Sequence, residues 1–131
     1  MKDGNCKAFQ EAVDNYLIRH RSILDVLSKF QESSARVNRA VAKAVTACGC
    51  LTINACRQPT SATMSLAEFR QHVDNHLRGE LCESCREVLY NELGASLFYL
   101  AALCSLLGLD LDEVLAQEAN RLNTLGIFNL S

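Results

Sequence analysis

The chain has one proline, no tryptophan and no basic excess: thirteen Lys and Arg stand against fifteen Asp and Glu, a formal charge of −2. A near-neutral chain offers no electrostatic footprint for phosphate backbones or anionic lipid, so neither a nucleic-acid polymer nor a membrane is expected as partner. Its longest apolar stretch, Ser96 to Leu109, is about fourteen residues and includes two serines, short of the roughly 20 that span a bilayer. The start of the chain lacks the basic and apolar segments of a secretory leader, which points to a reducing, cytoplasmic location. Few β-branched runs occur, and little in the sequence breaks helices. With 131 residues, 49% of them apolar, the chain suits one all-α domain with a buried core.

Apolar spacing predicts a bundle of about five helices. Phe9, Val13, Tyr16 and Leu17 place the first near residues 5–19. The stripe Ile23, Val26, Leu27, Phe30, Val37, Val41, Ala44 and Val45 predicts a second over 23–47, opened by Ser22 and Asp25. Residues 49–64 hold the proline and several small polar residues, and read as the main loop, with a short extended piece at Leu51–Asn54. Ser65 and Glu68 form a capping box for a third helix over 66–77, ended by Gly79. The fourth spans 80–107, is apolar nearly all round in its second half, and stops at Gly108. Such a helix is central or an oligomer interface. Asp110 and Glu113 open a fifth over 111–124.

Cysteine is what the chain has in plenty. Cys48-Gly49-Cys50 and Cys82-Glu83-Ser84-Cys85 are two close pairs flanking the long loop, the pattern a tetrahedral thiolate site for a structural zinc requires. An iron–sulfur cluster, a redox dithiol and plain buried cysteines remain open beside it. Seven cysteines cannot all pair, and in a reducing compartment close pairs bind metal more often than each other. Cys56 is an alternative to Cys50 as ligand. His72 and His76, at i and i+4, allow a mixed site or are simply imidazoles on an amphipathic helix. Cys104 reads as a small core hydrophobe.

Glu92 falls in the apolar stripe Cys85, Val88, Leu89, Tyr99, Leu103, where a carboxylate needs a cation, a metal or several hydrogen bonds. Arg36, Arg39 and Lys43 share one face of the second helix with Glu32, a candidate phosphate-binding face or a solvated one with Glu32–Arg36 pairing.

The segment 92–114, ELGASLFYLAALCSLLGLDLDEV, resembles the MazG-like all-α nucleoside triphosphate pyrophosphohydrolases, and 30–41 resembles that family's earlier E-x-x-E helix more faintly. The resemblance implies a dimeric or larger α-bundle in which E-x-x-E and E-x-x-D carboxylates hold Mg²⁺ against a triphosphate. Here Glu32 and Glu92 stand at the motif starts, but Ala35 and Ala95 occupy the partner positions, and alanine offers Mg²⁺ no oxygen. The expected function is therefore a zinc-clipped, non-catalytic protein with a regulatory, nucleotide-sensing or scaffold role. One alternative is an active Mg²⁺-dependent hydrolase drawing further carboxylates from Asp14, Asp25, Glu83 or Glu87. The other is a thiol-based redox or metal sensor.

Overall fold

The computed structural model describes residues 5–17, 21–58 and 61–125. Helix α1 covers Asn5–Tyr16 and α2 Ile23–Lys43, followed by one π-helical turn over Ala44–Cys48. Strand β1 (Leu51–Ile53), α3 (Leu66–His72) and β2 (Leu77–Gly79) come next, then α4 (Glu83–Leu106) and α5 (Leu111–Leu125). The protein is mostly helical, in keeping with an all-α class. It divides into two compact units, residues 1–36 with 92–131, and residues 37–91, the divisions falling inside α2 and α4.

In the first unit the core is Val13 and Leu17 from the α1 region, Val26 from α2, and Ala101 and Ala102 from α4, backed by Phe98, Tyr99, Leu103, Leu106 and Leu111. Alanines at the centre let helix backbones approach closely. Ser33, buried on α2, reaches Ser96 on α4 with 3.0 Å between hydroxyls. Gln10 fastens α1 to the turn before α5. Its amide nitrogen donates to the Leu109 carbonyl at 2.9 Å, and its amide oxygen accepts the Leu111 N–H at 2.9 Å. Gly108 (φ 72°) closes α4 in the left-handed conformation, and the Leu109 N–H returns to the Cys104 carbonyl at 2.7 Å.

The second unit is built on an antiparallel hairpin with register Leu51↔Gly79, Thr52↔Arg78 and Ile53↔Leu77. The expected extended piece is therefore a strand, and the loop 49–64 is one limb of a larger arm. The third helix, expected over 66–77, stops at His72. Val73 turns extended (ψ 129°), and Asp74 and Asn75 fold back on the chain. The Asp74 carboxylate accepts the His76 N–H and the Asn75 side-chain oxygen accepts the Leu77 N–H, two local turns that compete with helix. Gly79 does not end that helix but lies in β2 at φ 86°, and a Cβ there would sit 2.4 Å from the Cys50 carbonyl oxygen. The fourth helix begins at Glu83 rather than 80: β2 ends at Gly79, and Cys82 takes the capping position by accepting the Cys85 N–H. The first helix ends at Tyr16, and the rest of its expected span, residues 18–20, lies outside the described residues.

The apolar stretch that starts at Ser96 is only the second half of α4. With its earlier turns included, the helix is long and apolar enough to cross a membrane by length and composition alone. Ala101, Ala102 and Cys104 on it are buried, whereas Leu93 and Leu97 are exposed.

Candidate metal centre

Local backbone geometry converges the four cysteine sulfurs. In the π turn the Gly49 N–H donates to the Ala44 carbonyl at 2.9 Å, an i→i+5 bond, and Gly49 takes φ 83°. The wider turn ends the helix with Cys48 on its last residue and sends the chain through Cys50 into β1. Cys82 stands at the residue before α4, where the free helix N–H groups point. Its sulfur accepts the Cys85 N–H at 3.4 Å, so a thiol does the work of an N-cap. All four sulfurs lie within 4.8 Å of one another, and those of Cys48 and Cys82 are 3.7 Å apart. Four thiolates at roughly 2.3 Å from one tetrahedral ion would be about 3.8 Å apart. The donor set can hold a metal ion.

Electrostatics point the same way. The Cys85 N–H, helped by the Cys85 and Cys48 thiols, brings the Cys82 thiol down to about 7. Cys85 is pushed up to about 12, first by the Cys82 sulfur beside it and then by desolvation. At Cys48 the Cys50 N–H pulls downward, but the Cys82 and Cys50 sulfurs and desolvation outweigh it and the net shift is upward. Sulfurs this close cannot all ionise unless a cation lies among them.

Cys56, His72 and His76 are not part of this group. His76 (φ 62°) is built into the hairpin arm, its Nδ1 accepting the Cys56 N–H at 3.4 Å and its Nε2 lying 3.0 Å from the Gln58 amide nitrogen. His72 is exposed at the end of α3. Cys104 is buried in the first unit, matching its reading as a core residue.

The candidate acidic site has a different occupant. The Arg36 Nε donates to Glu92 at 3.0 Å, and an Arg36 Nη1 lies 4.0 Å from Glu32, which also faces Lys29 at 3.6 Å. The Glu92 side chain is only 20% exposed, so the guanidinium answers its need for a cation. The sequence groups Arg36 with Arg39 and Lys43 on a phosphate-binding face; the structure commits it to Glu92. The i, i+4 spacing of Glu32 and Arg36 is the available signal, but the reach to Glu92 needs the tertiary fold. Ala35 and Ala95 bring no oxygen. Among the described residues the four cysteines are the one group of three or more close potential ligands.

No protein-family model, curated protein or solved structure matches the chain.

Proposed function

We propose that this is a non-catalytic helical protein of the MazG-like type, stabilised by a structural zinc on four cysteines and serving as a regulatory, nucleotide-sensing or scaffold component. The observation that carries the reading is the Arg36–Glu92 pair at 3.0 Å. In a two-metal hydrolase the retained carboxylates would face Mg²⁺; here a guanidinium holds one and approaches the other, and Ala35 and Ala95 remove the remaining oxygens. A divalent ion would have to displace an internal charge partner with half its usual ligands missing. Arg39 and Lys43, both exposed, are the cations left on α2 for a phosphate-bearing ligand.

Zinc is the metal best suited to Cys48, Cys50, Cys82 and Cys85. The packing of all four sulfurs within 4.8 Å favours a single ion, since a multi-iron cluster holds its cysteines further apart. The chain assembles as a homodimer or larger oligomer through α4 and α5, where Leu93, Leu97, Leu115 and Leu122 are exposed and no charge interrupts residues 93–109. A cytoplasmic location fits free thiols.

Two measurements test this. Protein expressed without added metal should contain one zinc per chain by elemental analysis. With Mg²⁺ or Mn²⁺ and a panel of nucleoside triphosphates, pyrophosphate release should not rise above the protein-free control. Robust release that disappears in Glu92→Gln would replace the proposal with the active-hydrolase reading.

A further inference from the structure

The cysteine centre has an uneven exposure that its structural role does not need. Cys48 is exposed, whereas Cys50, Cys82 and Cys85 are half-buried. An oxidant arriving from solvent therefore meets Cys48 first, and the sulfur of Cys82 is already 3.7 Å away. Cys50, the nearest alternative in sequence, is less well placed. The Cys50 sulfur turns toward the Ala44 carbonyl at 3.8 Å, and a bond from Cys48 to a cysteine two residues on closes a strained ring.

We propose that Cys48 and Cys82 are a peroxide-responsive pair, oxidised to a disulfide that takes over the tie between the two limbs of the hairpin when the metal leaves. The inference rests on the metal reading above and adds its regulation. In the first step the Cys48 sulfur attacks one oxygen of a hydroperoxide. The O–O bond breaks, the leaving oxygen takes a proton and departs as water or an alcohol, and Cys48 becomes a sulfenic acid. In the second step the Cys82 sulfur attacks the Cys48 sulfur, the S–O bond breaks and water leaves. Each sulfur gives up one electron, and one peroxide is reduced by two electrons. Cys50 and Cys85 remain as thiols, too few to close a tetrahedral site, so the metal is released.

What distinguishes this device from plain oxidative damage is continuity. Cys48 precedes β1 and Cys82 follows β2, so the same two chain positions stay joined before and after oxidation. Release of the ion is then reversible by thiol reductant without loss of the hairpin register.

A tryptic map decides the pairing, because Cys48 lies in the peptide 44–57 and Cys82 in the peptide 79–86. Zinc-loaded protein is treated with equimolar hydrogen peroxide, blocked with a maleimide at acid pH and digested without reduction. The expected result is a linked 44–57/79–86 species with fragment ions placing the bond at Cys48 and Cys82, formed in step with zinc release to a chromogenic chelator and reversed by dithiothreitol. A bond confined to 79–86, joining Cys82 and Cys85, overturns the proposal, as does zinc release with no disulfide. A zinc-loaded protein that resists peroxide leaves the metal reading intact and overturns only this inference. If the protein takes up no zinc, the metal reading fails on its own, and the same digest on the metal-free protein still decides whether Cys48 and Cys82 pair.

Discussion

Replacing Gly79 with alanine tests the geometry that brings the two cysteine pairs together. Gly79 has φ 86°, a region that costs a residue with a Cβ about 1–2 kcal/mol. The new Cβ would lie 2.4 Å from the Cys50 carbonyl oxygen, about 1 Å inside ordinary contact, and the obstacle is backbone rather than a mobile side chain. Relief requires β2 to part from the Cys50–Leu51 segment, at about 1 kcal/mol for each pairing hydrogen bond lost. The sum is about 3 kcal/mol, which at about 4 °C per kcal/mol for a chain of this size lowers Tm by roughly 10 °C. Because the displaced carbonyl belongs to a proposed ligand residue, zinc should also pass faster to a competing chelator. Gly94→Ala is the control of opposite sign. Gly94 lies inside α4 with nothing within 4 Å of an added methyl, so alanine should stabilise by up to about 1 kcal/mol and raise Tm by a few degrees. Scanning calorimetry and chelator competition on both variants are the assay. If Gly79→Ala melts with the wild type and keeps its metal as long, the account of the hairpin packing is wrong.

Cys82→Ser should lose metal and lower Tm, because binding free energy at such a site is partly folding free energy; elemental analysis and melting curves check both. Arg36→Gln leaves the Glu92 carboxylate half-buried without its cation and should cost about 1 kcal/mol, most of it recovered in the double variant with Glu92→Gln, as a denaturant double-mutant cycle would show. Asp74 is held down to about 2, first by the hydrogen bonds from Arg78 and then by the His76 N–H. A depressed carboxylate stabilises above its unfolded value and loses that contribution as pH falls through the folded one. The hairpin arm should therefore weaken between about pH 4 and pH 2, and in Asp74→Asn that acid sensitivity should be largely absent from amide-exchange profiles of residues 51–53 and 77–79. Leu97→Glu places a charge on the exposed apolar face of α4 and should convert the proposed oligomer to monomer in light scattering, with little change in Tm if the face is an interface rather than core.

Helix-forming periodicity is legible in the sequence because it is local. The stripes on α1 and α2, the capping signal before α5 and the stop at Gly108 depend only on residue spacing and on one left-handed glycine. The cysteine cluster is legible for a related reason, since metal spacing is short-range even when the two pairs are far apart. The stretch 73–79 is where pattern misleads. Val73 and Leu77 continue the helical apolar spacing of Leu66 and Phe69, so pattern alone extends α3, yet Asp74 and Asn75 turn the backbone with their own side chains and Leu77 pairs with Ile53. Gly79 reads as a helix stop because a positive-φ glycine does that job, but it does the same in a strand that another backbone approaches, and the Cys50 carbonyl against it is a tertiary contact. Arg36 poses the same difficulty. Its face on α2 is foreseeable, but its partner Glu92 is 56 residues away.

The second unit has a physical need for a fastening where the four cysteines are. Its strands are three residues long, and among its described residues the buried apolar ones are Ala44, Leu51 and Leu89. Isolated two-stranded hairpins are marginal in water, and a handful of buried side chains cannot offset the backbone entropy of ordering the arm from 49 to 81. Polar fastening supplies part of the difference. Gln58 bonds both the N–H and the carbonyl of Asp74, and Arg78 grips the Asp74 carboxylate, but these contacts lie at the far end of the hairpin. At the near end the sulfurs are what join the limb entering β1 to the limb leaving β2. A small structure with little core needs a covalent or coordinate staple, and this one has its four candidate donors at the open end of the hairpin, where the chain enters β1 and leaves β2. The same logic explains why an exposed Cys48 matters: the proposed fastening of the arm is also the part of it that solvent can reach.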